Sequence, residues 1–251
     1  MKALALVLCL FWVGQSLAAT PQEIVAAVER AGFTQGFRLR ATITREGEAT
    51  AHPLRILITG EQDEQRHRLL IRALGPDAYR DQAVLVESNG KLPPRAYRFG
   101  SNGAPAQAAD VHAPLFDSPL VAWNLMGEWW RWPRQARIRD DTMLGWDCVV
   151  IESRGGRGLV ARVRSWIAPE LNLPLRIEFY ASDGAMLATI RIDNILRRAN
   201  GTSAARTMSL TGAGDDTSRF EFYNGEEGVT LAPETFPTVE DGKPSGGRKA
   251  E

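Results

Sequence analysis

Disulfide chemistry is the first thing this sequence lacks. It has two cysteines, and one of them, Cys9, sits in the apolar run of the first residues. If that run is removed on export, Cys148 stands alone, no intrachain disulfide can form, and the chain must rely on a packed core. An excess of cationic side chains is missing too. The 30 Lys and Arg are matched by 30 Asp and Glu, which excludes a general electrostatic grip on nucleic acid. Histidine is scarce: His52, His67 and His112 are far apart, with no HExxH or CxxC spacing, and each is expected at the surface or a strand edge. GxSxG elbows, GxxxxGKS/T loops and GxGxxG turns are absent as well. Neither a metal nor a cofactor is expected.

Long apolar runs are confined to the start. MKALALVLCLFWVGQSLAA has one lysine, an apolar stretch from Ala3 to Val13, and small residues at Ser16, Ala18 and Ala19. This is the layout of a secretory signal peptide over residues 1–18, cleaved after Ala18 or Ala19. The run is too short to span a bilayer comfortably. Leu8 precedes Cys9, which lies mid-run, so lipidation of that cysteine is rejected. The remaining chain is long enough for one β-rich domain, over 19–238, and EDGKPSGGRKAE points to a disordered tail over 239–251.

What is present is mostly strand pattern. TPQEIVAAVERAGF predicts a short helix with Thr20 at its cap, Pro21 in the first turn and Glu23 closing a capping box; Gly32 ends it. From Gly36 the period becomes two. Phe37, Leu39, Ala41 and Ile43 alternate with polar residues, as do Leu54, Ile56 and Ile58, and then Leu69, Ile71 and Ala73. AVLVES and PRAYRF continue the run, and SNGAPAQAADVHAP reads as a loop. A second run holds WDCVVIES, LVARVRSWIAP and LPLRIEFYASDGAMLATIRI, with Asp183-Gly184 as a hairpin turn; ARTMSL and SRFEFYNG add further strands. RGGRG at 154–158 falls between strands and reads as a hairpin turn. Roughly ten strands without a βαβ rhythm argue for one large antiparallel sheet, which must curl.

Between the two runs lies LFDSPLVAWNLMGEWWRWP, with four tryptophans in ten positions. Ser118 as cap and Pro119 at the first position predict a helix through Leu120, Trp123, Leu125 and Trp129, stopped by Pro133. Burying one large aromatic contributes on the order of 2–3 kcal/mol, so Trp123, Trp129, Trp130, Trp132, Trp146 and Trp166 together can hold a lid over a curved sheet. Catalysis finds little support. Asp140 and Asp141 are expected in a solvated loop, RIRDDTMLG, and Cys148, alternating with Trp146 and Val150, reads as a small buried hydrophobe. An envelope enzyme would rest only on the Asp140, Asp141 and His112 region, so the chain is expected not to be an enzyme.

The order of these features, with GWDCVVIES and VRSWIAPELNLPLRIEFYASDGAMLATIRI, resembles the LolA-like outer-membrane lipoprotein-sorting proteins of Gram-negative bacteria. The resemblance covers residues 115–198 by motif and the earlier strands by pattern. It implies a mainly β (α+β) fold, a single curved antiparallel sheet forming an unclosed β-barrel capped by helices. It also implies a periplasmic carrier that receives acyl chains of a lipid or a lipidated protein in an apolar groove, in transient contact with the envelope membrane or its proteins. Where such proteins often have S-x-x-D-L in the central helix, this chain has SPLVAWNLM, with Asn124 before Leu125. On the inward phase of the strands, Phe37, Leu39, Ile43, Leu54, Ile56, Ile58, Leu69 and Ile71 are the expected groove floor, with Leu120, Trp123 and Met126 on the lid. The alternative is a non-catalytic envelope adaptor that docks a protein complex on the same scaffold.

Overall fold

A computed structural model describes residues 19–32, 36–47, 53–62, 66–89, 93–100, 106–156, 158–198, 201–240 and 243–244. The expected signal peptide and His52 lie outside these residues. The first element is helix α1 (Pro21–Gly32). Its capping box forms as the sequence predicts: the Thr20 amide donates to Glu23 at 2.7 Å, and the Glu23 amide donates to Thr20 Oγ1 at 3.3 Å. Ile24, Val25 and Val28 are buried on one face and pack against Val149, Ile151 and Ile167.

Six strands follow: β1 (Phe37–Arg45), β2 (Leu54–Gln62), β3 (His67–Gly75), β4 (Ala83–Ser88), β5 (Arg95–Phe99) and β6 (Gln107–Ala109). After the tryptophan segment come β7 (Arg134–Met143), β8 (Trp146–Arg154), β9 (Arg162–Ala168), β10 (Leu173–Tyr180), β11 (Met186–Arg197), β12 (Ser203–Gly212) and β13 (Thr217–Glu227). All thirteen belong to one sheet in the order β6-β5-β4-β3-β2-β1-β13-β12-β11-β10-β9-β8-β7. The chain lays down two antiparallel meanders, and the pairing of β1 with β13 joins them, with Ile43 opposite Phe220. Register shifts in β1, β7, β10 and β11 bend the strands, as bulges do. The sheet curves without closing into a barrel and ends at β6 and β7.

Alternation along the strands decides the faces. Ala41, Ile56, Ile71, Val84, Val163, Phe179, Leu210 and Phe220 are almost wholly buried in one cluster on the face that α1 and the tryptophan segment cover. Phe37 pairs with Gly60, whose missing side chain leaves room for the ring: a Cβ there would lie 2.4 Å from Phe37 Cε1. On the opposite face Leu70, Ala83 and Leu85 are covered by Phe236, carried by a C-terminal stretch with a short 3-10 turn at Pro233–Thr235. This second cover explains why β4 is buried on both sides. Val239–Glu240 (β14) then pairs with Lys243–Pro244 (β15), and the rest of the expected tail lies outside the described residues.

Four sequence expectations are corrected. The single helix from Leu120 to Trp129 is replaced by α2 (Trp123–Met126) and a 3-10 turn at Glu128–Arg131. The break is at Gly127, which takes the left-handed conformation (φ +65°) and ends α2. Upstream, Ser118 Oγ donates to the Leu115 carbonyl at 2.7 Å instead of capping a helix, and the Leu115 amide donates to Leu120 O at 2.8 Å. RIRDDTMLG is not a loop: Asp140 and Asp141 lie within β7, paired with Val149 and Cys148. Part of the expected loop before the tryptophans, Gln107–Ala109, is strand β6. His67 is not at the surface but 1% exposed in β3, because the tryptophan segment closes over that end of the sheet.

Candidate functional site

The apolar face of the sheet is the floor of the candidate site. The structure brings Phe37, Ile43, Leu54, Ile56, Ile58, Leu69 and Ile71 into one buried cluster, with Leu39 half-buried against it. Leu120, Trp123 and Met126 belong to the same cluster from the cover side. The far half of the floor comes from residues the sequence reading did not single out: Val163, Ile177, Phe179, Ile190, Leu210 and Phe220. Their signal was in the sequence, as the alternation in LPLRIEFY and SRFEFY.

The tryptophans divide between faces. Trp123 and Trp129 stand edge-on to Phe179, with centroids 5.6 and 5.2 Å away, and lie 5.3 Å from each other. Trp130 and Trp132 flank them at 5.2 Å from Trp129 and 6.2 Å from Trp123. Trp132 also rests on the β8–β9 connection, where a Cβ on Gly156 would come within 2.5 Å of its ring. Gly156 of RGGRG is thus the seat of a tryptophan, while Arg157 lies outside the described residues. Trp146 and Trp166, expected with the lid, alternate to the opposite face. There Trp166 donates to Asp141 at 2.9 Å and stacks with Arg139 and Arg176, while Arg197 lies over Trp146.

Side-chain polar contacts fasten the C-terminal part of the tryptophan segment from two sides. Gln135 Nε2 donates to the carbonyls of Trp129 at 3.0 Å and Trp132 at 3.1 Å. Its Oε1 in turn accepts from Ser153 Oγ at 2.6 Å. From the helix side Arg131 donates to Glu29 of α1 at 2.5 Å, and Gln62 donates to the same oxygen at 3.3 Å. Burial pushes the Glu128 carboxyl above its usual range, partly offset by a hydrogen bond from Ser88 and by Arg131. Burial, reinforced by the Arg131 charge, lowers His67 to about 4 against a hydrogen bond with the Met126 backbone, so this ring is neutral at neutral pH. Trp129 Nε1 is buried with no hydrogen-bond partner among the described residues.

Two clefts open on the opposite face. One, of ≈ 260 Å³, lies among Arg139, Arg164, Trp166, Arg176 and Tyr180; the other, of ≈ 230 Å³, among Thr189, Arg191, Ser209 and Thr217. Buried Glu152 gathers Arg154 and Arg164 at 2.6 and 2.8 Å. Burial works against its ionisation, but these two hydrogen bonds together outweigh that and hold the carboxyl below its usual range.

Among the described residues, the groups on which an envelope enzyme would rest are engaged with other partners. Asp141 is held below the usual carboxylate range, first by the Trp166 indole and then by the Thr142 amide. Asp140 pairs with Arg137, whereas His112 stacks on Trp123 under the cover. Cys148 is 2% exposed and burial raises its thiol, the reverse of what an attacking thiolate needs. Among the described residues no group of three or more His, Cys, Asp or Glu side chains is placed to hold a metal ion. No helix among them is long and apolar enough to cross a membrane.

No protein-family model matches the sequence, and no curated protein matches it. Solved structures do match the fold, among them the following three. An outer membrane lipoprotein-sorting protein domain from Vibrio parahaemolyticus superposes with a TM-score of 0.74 at 15% identity, over 84% of this chain and 94% of that one. A DUF1329 family protein from Desulfovibrio piger gives 0.71 at 14% identity, over 84% and 93%. A LolA superfamily protein from Nitrosomonas europaea gives 0.69 at 16% identity, over 85% and 96%.

Proposed function

With a LolA-like fold as its premise, we propose that this chain is a periplasmic, non-catalytic carrier. It takes the acyl chains of a lipid or lipoprotein between the apolar face of its sheet and the tryptophan segment, and meets the envelope membrane or its proteins transiently. The observation that carries this reading is the construction of the cover. Two four-residue helical turns hinged at Gly127 close a continuous apolar floor. Gln135, Arg131 and Glu128 hold them through side-chain contacts. A cover fastened by side chains opens without breaking the strand ladder, and its cost is the exposure of Trp123 and Trp129, which an acyl chain in their place offsets. The floor it uncovers then suits an acyl chain, at about 0.8 kcal/mol per buried CH₂.

Native mass spectrometry with lipid extraction, on the chain purified from periplasm, tests this. A bound lipid or lipidated peptide is expected, and it is expected to be lost in Ile56→Trp or Leu39→Trp, which fill the floor. Apo protein that takes up no acyl chain from vesicles removes the carrier reading. The second reading, an envelope adaptor on the same scaffold, draws on how completely the tryptophans fill the interior of the closed form. It expects a crosslinked partner and no lipid, and it fails if the purified chain moves lipid between vesicles.

A further inference from the structure

Among the described residues the sheet ends in two strands with one free edge each: β6, of three residues, and β7, of ten. An unpaired edge is a template for another strand, and proteins blunt it with lysine, proline, other charges or a bulge. β7 has no lysine or proline; its guards are a bulge and five charged side chains, which bar a partner that does not match those charges. Its sequence, RQARIRDDTM, is exposed along most of its length, with Arg134 and Arg137 in the first half and Arg139, Asp140 and Asp141 in the second, so that the first half is net basic and the second net acidic.

This division decides which partner strand the edge accepts. A parallel copy of β7 would set like charges side by side, which destabilises a ladder. An antiparallel copy sets each basic half against the other's acidic half, and a twofold axis makes such a surface complementary to itself. We propose that two copies of this chain pair through β7, antiparallel, to form one continuous sheet.

The register follows from the charges and the bulge. Pairing against β8 slips between Arg137 and Arg139, which leaves Arg137 and Asp140 on the face that α1 covers and turns Ile138 and Arg139 toward the ≈ 260 Å³ cleft. A twofold axis between Ile138 and Arg139 sets Arg137 against the partner's Asp140, and the reverse. In the single chain Arg137 bonds to its own Asp140 at 2.5 Å, in a pair 38% and 66% exposed. An exposed pair of that kind contributes little on its own, so exchanging it across the axis loses little and adds the main-chain ladder.

Sedimentation velocity of the full chain over a concentration series reads the assembly, and hydrogen exchange of the β7 amides reads the surface. The expected mass doubles with concentration, and Arg134–Met143 gains protection over the same range. Asp140→Arg alone and Arg137→Asp alone each weaken self-association about tenfold. An equimolar mixture of the two variants pairs again, because both contacts between positions 137 and 140 are then between opposite charges. A monomer at every concentration overturns the proposal. So does a dimer indifferent to both substitutions, or a mixture no tighter than either variant. Strong protection of the β7 amides that point away from β8 in the dilute monomer overturns it too, since the edge would then be covered by the chain itself.

Discussion

At the scale of single residues, His67 and Glu128 are polar groups that the closed cover forces out of water, and they answer pH in opposite directions. His67 titrates at about 4 when folded and at 6.5 as a free side chain. Above about 6.5 the ring is neutral in both states and its contribution is complete. As pH falls toward about 4 the unfolded chain takes up a proton that the folded one refuses, and stability drops by on the order of 3 kcal/mol. Urea midpoints measured between these limits are expected to fall, and His67→Gln is expected to flatten the slope; an unchanged slope would place the titrating group elsewhere. Glu128, held high, favours the folded state in acid and loses that contribution as pH rises through its folded value. The sequence disclosed neither group, because what buries them is chain far away in sequence. Cys148 was legible as a buried hydrophobe, since its neighbours alternate locally.

At the scale of elements, local rules worked where an element answers only to itself. The α1 capping box and the Asp183-Gly184 turn depend on residues a few positions apart, and both form. The tryptophan segment answers instead to the sheet beneath it. Its helical period is real, but Gly127 breaks it and Trp132 must reach Gly156. Gln135 then becomes the fastening that the helix backbone would have supplied. Gln135→Leu is expected to cost about 1–3 kcal/mol in urea unfolding and to speed uptake of a fluorescent acyl chain. Gly156→Ala is expected to press on the Val160 carbonyl as well as on the Trp132 ring, displacing the ring and red-shifting tryptophan emission while far-ultraviolet circular dichroism stays the same. Unaltered emission would mean that Trp132 does not depend on that glycine.

At the scale of the whole molecule, one apolar cluster runs from β4 through the β1–β13 junction to β10 and includes Trp123 and Trp129. Phe220 sits at that junction, 1% exposed, opposite both Ile43 and Met208. Phe220→Ala is therefore expected to cost about 3–5 kcal/mol, with tryptophan emission and circular dichroism unfolding together; emission changing first would show a cover that detaches before the sheet melts. The sequence by itself determined most of the strands, the inward phase of the first three and the antiparallel order, because period-two alternation and tight turns are properties of neighbouring residues. Only the tertiary structure decided that β13 returns to β1, that Trp146 and Trp166 turn away from the cover, and that residues 137–143 of RIRDDTMLG belong to an edge strand. Those outcomes depend on contacts between segments far apart in the chain, and local pattern carries no record of which distant surface a segment will meet.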